Sequence, residues 1–270
     1  MSSKSGYRGF SLVLAIGLAF TEASIPLETE TARTIRKHGF EGAAAFEYQK
    51  SSEGLELAVP LAFEYGILEN LELLVEPVLY TAILPDTGRK ATGIGDLEIT
   101  LNYRFLEEQG ALPAFGAAGE AKVALADDML IGTGKSDFAA YFIASKRLGG
   151  WDVHGNLGYT WVGQPTGIKD PAGNPIKVRL NDLMSFSLAV EQIRFGKLQF
   201  LGEVSGNTPS FFQKAGNAPE NPITPEASGG ELVGTVGARY FFKAKMAATL
   251  GLSYDNSNAL LVAPGFIVGF

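Results

Sequence analysis

The residues best placed to do chemistry in this chain are its carboxylates, because of the pattern they fall in. Glu41, Glu47, Glu56, Glu64, Glu72, Glu76, Asp96, Glu98, Glu120, Glu191, Glu203 and Glu231 occupy the polar positions of runs whose alternate residues are mostly apolar. Basic residues of the same parity are fewer: Lys122, Arg104, Arg239 and one of Lys146 and Arg147. Asn102 and His154 share that parity. Carboxylates gathered on one face favour cations and disfavour anions, as charged rings do in pores. The alternative is that they pair with the Arg and Lys residues in a closed interior, since a carboxylate buried beside another needs a partner or a proton.

Other chemistry has little to work with. There is no cysteine, which removes thiol nucleophiles, disulfides and cysteine metal sites. The two histidines are His38 and His154. His38 precedes the first alternating run and reads as a solvated residue. A hydrolase would need a serine within hydrogen-bond reach of His154. Ser145 lies in the preceding run, but no spacing rule brings it to His154. Asp127 and Asp128 in "ADDM" read as a hydrophilic turn rather than a metal site. No cofactor and no enzymatic activity are expected. The formal net charge of −7 lacks the basic footprint of a nucleic-acid binder.

The elements that position the carboxylates are strands. "GIGDLEITLNYRF", residues 93–105, sets Leu97, Ile99, Leu101, Tyr103 and Phe105 against Asp96, Glu98, Thr100, Asn102 and Arg104. The same alternation recurs in twelve candidate strands: 39–50, 54–66, 70–82, 94–106, 112–125, 136–148, 151–163, 180–193, 197–207, 230–243, 245–255 and 259–270. These lengths suit a tilted transmembrane strand of about 9–11 residues better than a soluble one of about 5–6. Short connections such as "ILEN", "LEEQG" and "RFGK" alternate with long ones at 83–93, 126–135, 164–179 and 208–229. That is the arrangement of bacterial barrels, with short periplasmic turns and longer extracellular loops. The expected fold is therefore all-β, an antiparallel up-and-down transmembrane barrel with the apolar parity facing lipid. Closure is obligatory, because an open edge in hydrocarbon strands its backbone polar groups.

Aromatic residues divide between two levels. Phe40, Tyr65, Tyr103, Phe105, Phe115, Trp151, Tyr240, Phe242 and Phe270 fall near the periplasmic rim; Tyr48, Tyr141, Tyr159, Trp161 and Tyr254 fall near the outer one. Such rings favour headgroup interfaces. At the front, Lys4 and Arg8 precede an apolar run from Phe10 to Phe20 and then small residues, the layout of a secretory signal peptide. Residues 1–23 are assigned to that signal, 24–38 to a periplasmic N-terminal segment and 39–270 to the barrel.

The last strand, "LLVAPGFIVGF", ends with Val262, Phe266, Val268 and Phe270 on one parity. It resembles the C-terminal assembly signal of bacterial outer-membrane proteins, which implies the barrel-assembly machinery as a partner, besides outer-membrane lipid and lipopolysaccharide. The run Gly93-Ile94-Gly95-Asp96-Leu97, followed by Tyr103-Arg104-Phe105, is similar to an element of a family of outer-membrane channels associated with the meta-pathway of phenol degradation. That resemblance implies a small barrel passing aromatic or other small organic compounds.

The leading expectation is a passive outer-membrane channel for small neutral or cationic organic solutes, filtered by an acidic lumen, with loops 164–179 and 208–229 as candidate constrictions. The rival is a closed barrel with a structural or surface-binding role; a membrane-embedded hydrolase using His154 is a third. Removing Phe270 should slow insertion into the outer membrane by several-fold, measured as the fraction of chain reaching the heat-modifiable folded form.

Overall fold

The computed structural model describes residues 27, 29–166, 180–192, 195–209 and 230–270. The signal-peptide assignment and most of loops 164–179 and 208–229 lie outside the described residues. Fourteen strand stretches follow in chain order: β1 Phe40–Ala45, β2 Glu47–Lys50, β3 Gly54–Leu68, β4 Leu71–Pro85, β5 Ala91–Gly93, β6 Leu97–Leu106, β7 Ala114–Val123, β8 Asp137–Leu148, β9 Trp151–Trp161, β10 Leu183–Gln192, β11 Leu198–Asn207, β12 Leu232–Lys243, β13 Met246–Asp255 and β14 Leu260–Gly269. β1 with β2, and β5 with β6, each form one interrupted wall strand, so the wall has twelve. Each of these twelve wall strands pairs antiparallel with its neighbour in sequence, and β1 with β14 closes the cylinder from Glu41↔Gly269 to Ala45↔Gly265.

The interruptions have local causes. Between β1 and β2, Phe46 donates its N–H to the carbonyl of Pro264 at 2.9 Å. A proline has no N–H to return, so the ladder skips there. In β4 the register runs Pro60↔Val78 and then Ala58↔Thr81, leaving one extra residue on β4. Leu79 and Tyr80, successive residues, are both exposed as a result, a β-bulge. The gap between β5 and β6 falls on Ile94-Gly95-Asp96.

The distribution of polarity is reversed relative to a soluble sheet protein. Large apolar side chains are exposed around the cylinder, among them Leu101, Tyr103, Phe105, Leu157, Leu188, Val236 and Leu250. The buried interior holds Glu72, Glu76, Thr100, Asn102, Glu120, Lys122, Ser145, His154, Asn156, Glu203 and Arg239. Lipid therefore takes the place of the apolar core. What apolar packing exists inside is in small patches, such as Ala43, Ala62, Leu74 and Ile267.

One aromatic departs from expectation. Tyr141 does not belong to the outer girdle: it points inward, and its hydroxyl donates to Glu120 at 3.2 Å. It pairs with Ala118 on β7 and Gly158 on β9. A Cβ at residue 158 would come within 2.7 Å of the ring, so the glycine is what admits a large inward side chain. Phe138 and Phe142, of opposite parity, face out.

An arginine at Leu188, outward and central on β10, should destabilise the folded barrel by about 2–4 kcal/mol in an equilibrium folding titration into lipid vesicles. Ser187→Ala, one residue along on the inner face, should cost less than about 1 kcal/mol.

Candidate functional site

Inside the barrel runs an extended piece of chain that belongs to no strand, residues 29–36. Residues 24–38 read from sequence as a periplasmic segment; of those described, Leu27 and residues 29–35 lie against the inner wall, and residues 36–38 are exposed at the rim. From the periplasmic rim, where His38 donates its N–H to the carbonyl of Gly66 at 2.7 Å, the chain turns inward. The N–H of Ile35 donates to Glu72 at 2.5 Å, and the Thr34 hydroxyl to the carbonyl of Glu69 at 3.0 Å. Asn102 donates its amide to the carbonyl of Thr31 at 2.9 Å, and the N–H of Ala32 donates to the Ser145 hydroxyl at 2.8 Å. Asn156 clamps Glu30 twice, accepting from its N–H at 2.6 Å and donating to its carbonyl at 2.9 Å. Glu203 accepts from both the N–H and the hydroxyl of Thr29, at 2.7 and 2.5 Å. Leu27 ends this path, buried with Ala189 and Leu201.

These contacts explain why the inner wall is polar at those points. An extended chain without a β-ladder still has backbone donors and acceptors to satisfy. Side chains from β4, β6, β8, β9 and β11 do it. Glu72, Asn102 and Glu203 were singled out by sequence as pore-lining; each holds the inner segment, and Glu72 also lines the cavity beside it. Ser145 and Asn156, equally involved, were not singled out for this. The alternation of Thr29, Thr31 and Arg33 was the one local signal of an extended, ordered segment.

Ion pairs fasten the segment at the periplasmic end. Arg33 contacts Glu108 at 2.7 Å and Asp152 at 2.9 Å. Lys146 joins Glu108 at 2.8 Å, and Arg147 joins Asp152 at 3.0 Å. Glu108 lies in the turn between β6 and β7, and the hydrogen bond from Lys146, with help from Arg33, holds its carboxyl down at about 2. Arg104, counted among the lumen candidates, lies at this rim too, donating to the carbonyl of Glu69 at 2.9 Å and pairing with Glu107 at 3.3 Å. His38 stays exposed, its Nδ1 3.0 Å from the Tyr65 hydroxyl.

Ser145 and His154 face each other across β8 and β9, with the hydroxyl 2.9 Å from Nδ1. Sequence spacing does not reveal this pair; antiparallel register does. Ser145 is 1% exposed and lies under Ala32, whose N–H its oxygen accepts. A nucleophile needs room for a carbonyl to approach, and here the segment takes that room.

The remaining candidates form separate groups. Glu76 lies opposite Glu98, Glu98 opposite Lys122, and Glu120 opposite Thr100, all inward. Lys122 forms an ion pair with Asp137 and stands 4.0 Å from Asp96. Asp96 accepts from the N–H groups of Leu125 and Ala126 at 2.9 and 3.0 Å. Arg239 pairs with Glu191 at 3.1 Å. Glu56 and Glu64 are half-buried on the inner face of β3. Between the segment and the opposite wall remains a cavity of about 490 Å³, lined by both signs of charge, including Arg33, Glu41, Glu64 and Arg239. Among the described residues, no group of three or more His, Cys, Asp or Glu converges to hold a metal ion.

No protein-family model matches the chain, and no curated protein matches it in sequence. Solved structures do match in shape. An outer-membrane channel from Pseudomonas putida F1 superposes with a TM-score of 0.64 at 14% identity, over 88% of this chain and 98% of that one. The NanC porin gives 0.57 at 10% identity, over 84% and 98%. The KdgM porin, solved in complex with disordered oligogalacturonate, gives 0.51 at 6% identity, over 84% and 99%. The fold is thus that of bacterial outer-membrane β-barrels.

Because the folded-state carboxyl of Glu108 titrates near 2 rather than near its ordinary 4.5, its anchoring is complete above about pH 4.5 and is lost as pH falls towards 2. Amide exchange at Ala32 and Ile35, corrected for its intrinsic pH dependence, should accelerate over that window. Glu108→Gln should give the faster exchange already at neutral pH and a smaller acid step.

Proposed function

We propose that the protein is a channel of the bacterial outer membrane that passes small neutral or cationic organic solutes by diffusion, with the N-terminal segment narrowing its lumen. The observation that carries this reading is an inner face rich in carboxylates, over which a strap is held mainly by side-chain hydrogen bonds and ion pairs, with Leu27 and Ala32 set in small apolar patches. A barrel built only to stand in the membrane would gain more from apolar internal packing than from buried charge. Each strap contact is individually weak: about 0.5–1.5 kcal/mol for a neutral hydrogen bond, somewhat more where a carboxylate accepts. Such a segment can be displaced without unfolding the wall.

Glu41, Glu47, Glu56, Glu64, Glu76, Glu98 and Glu120 outnumber the inward cations, and this excess disfavours anionic permeants. Oligogalacturonate, the ligand of the structurally similar KdgM porin, is a polyanion; the shared fold need not imply a shared solute. The similarity of residues 93–105 to channels linked with phenol degradation supports aromatic compounds as the first solutes to test. On the same reading the chain is exported by its signal peptide and handed to the barrel-assembly machinery through Phe266, Val268 and Phe270. Val268 lies on the lipid face, and the ring of Phe270 rests 5.8 Å from that of Phe40. Lipopolysaccharide and phospholipid surround it.

The second reading is a closed barrel with a structural or surface-binding role, and the occupancy of the lumen by residues 29–36 favours it. Planar-bilayer recording separates the two. The intact mature chain should give a small, cation-selective conductance, and deletion of residues 24–36 should raise it several-fold. Anion selectivity, or no conductance from either form, would overturn the channel.

A further inference from the structure

The Gly93-Ile94-Gly95-Asp96 motif is not explained by the inner segment, because the hydrogen bonds of Asp96 are made to Leu125 and Ala126. Its carboxylate reaches into the connection between β7 and β8, residues 124–136. Besides the N–H groups of Leu125 and Ala126, Asp96 meets Gly132 so closely that a Cβ at 132 would lie 2.9 Å from its Oδ2. Gly93 leaves the space into which Ile131 inserts, the nearest atom of that side chain falling 3.3 Å from where a Cβ would be. Gly95 lets the strand pass Val78, whose Cβ would stand 2.7 Å from an added methyl. Each small residue of the motif thus makes room, and the acid supplies the bond.

The connection is bent back into the barrel rather than out into solvent. Leu130 and Ile131 are buried with Ala126 against Ile83 and Ala91. Ile83 and Ala91 face one another across β4 and β5, and Ile83 shares the inward face with Glu56. Asp128 shapes the bend: its carbonyl accepts from Ile131 and Gly132 at 2.9 and 3.0 Å, and its carboxylate accepts from the N–H of Leu130 at 2.9 Å and from Arg89.

We infer that residues 124–136 form a second constriction, at the extracellular mouth, and that Asp96 is the latch that holds it. This rests on the channel reading. The lumen is then narrowed twice by unrelated pieces of chain: by the N-terminal strap towards the periplasm, and at the outer end by a loop whose Ala126, Leu130 and Ile131 pack inward. Solutes entering from outside pass this loop before they reach Glu120 and Glu72 deeper along the wall. Asp96 is a positioning residue and need not contact a solute itself.

The chain has no cysteine, so a single one reports cleanly. In Leu130→Cys, a membrane-impermeant charged thiol reagent added from the extracellular side should react slowly. Adding Asp96→Ala should speed the reaction at least about tenfold. Asp96→Asn, which keeps one acceptor oxygen, should restore most of the protection. In liposome swelling, Asp96→Ala should admit larger solutes than the parent, while deletion of residues 24–36 raises the rate for small ones. Unchanged labelling overturns the latch. Faster labelling with an unchanged size limit overturns the outer constriction. If neither the parent nor the segment deletion passes any solute, the channel reading fails and the filter with it, and the labelling ratio alone decides whether Asp96 holds the loop.

Discussion

In hydrocarbon no water is present to satisfy a backbone N–H or C=O, and that constraint governs every part of this molecule. It forces β1 onto β14, because any unpaired edge would face lipid. It sets the alternation of the wall, since one face must be greasy and the other need not be. The inner segment, off the lipid, meets the same need through burial: its peptide groups have no sheet to join and are satisfied by Glu72, Asn102, Ser145, Asn156 and Glu203. Departures from the regular ladder are bounded in the same way. The missing donor of Pro264 and the bulge at Leu79–Tyr80 each interrupt the ladder only locally.

Within that wall, the sheet sorts side chains into distinct groups, two of which meet where Lys122 stands 4.0 Å from Asp96. Glu72 of β4, Asp152 of β9 and Glu203 of β11 serve the strap or the ion pairs of the periplasmic rim. The inward carboxylates of β6 and β7 cluster around Lys122. Asp96, between these groups in sequence, serves a loop. A uniform acidic lining in the sequence thus becomes three functions in space, because register decides what each carboxylate meets.

That difference marks what was legible in the residues alone. The parity of Leu97 to Phe105 follows from lipid on one side, and it appears in the order of residues without knowledge of partners. Strand number and the alternation of turn lengths follow similarly. The destination of residues 29–36 does not, because Thr29 meets Glu203 and Glu30 meets Asn156 across separations no local pattern encodes. Tyr141 is a case of the same kind: an amphipathic ring near a strand end belongs at the interface unless a glycine opposite it on the adjacent strand leaves it room, and Gly158 does. Ser145 and His154 are brought together only by the turn between β8 and β9, whose Gly149 adopts a φ of 62°. The role of Asp96 was hidden because a carboxylate bonding backbone N–H groups looks, in one dimension, like any other acid on an inner face.

The strap also constrains the order of events during biogenesis. Residues 29–36 are enclosed by a wall whose first and last strands are neighbours, and the strap leads directly into the first of them. A cylinder that zipped shut with these residues outside would have to reopen its seam to admit them, or draw them in through the periplasmic mouth. The seam between β1 and β14 therefore does best to close late, after Glu203 and Asn156 have captured Thr29 and Glu30. The exported chain must then find its own interior before it finds its final edge.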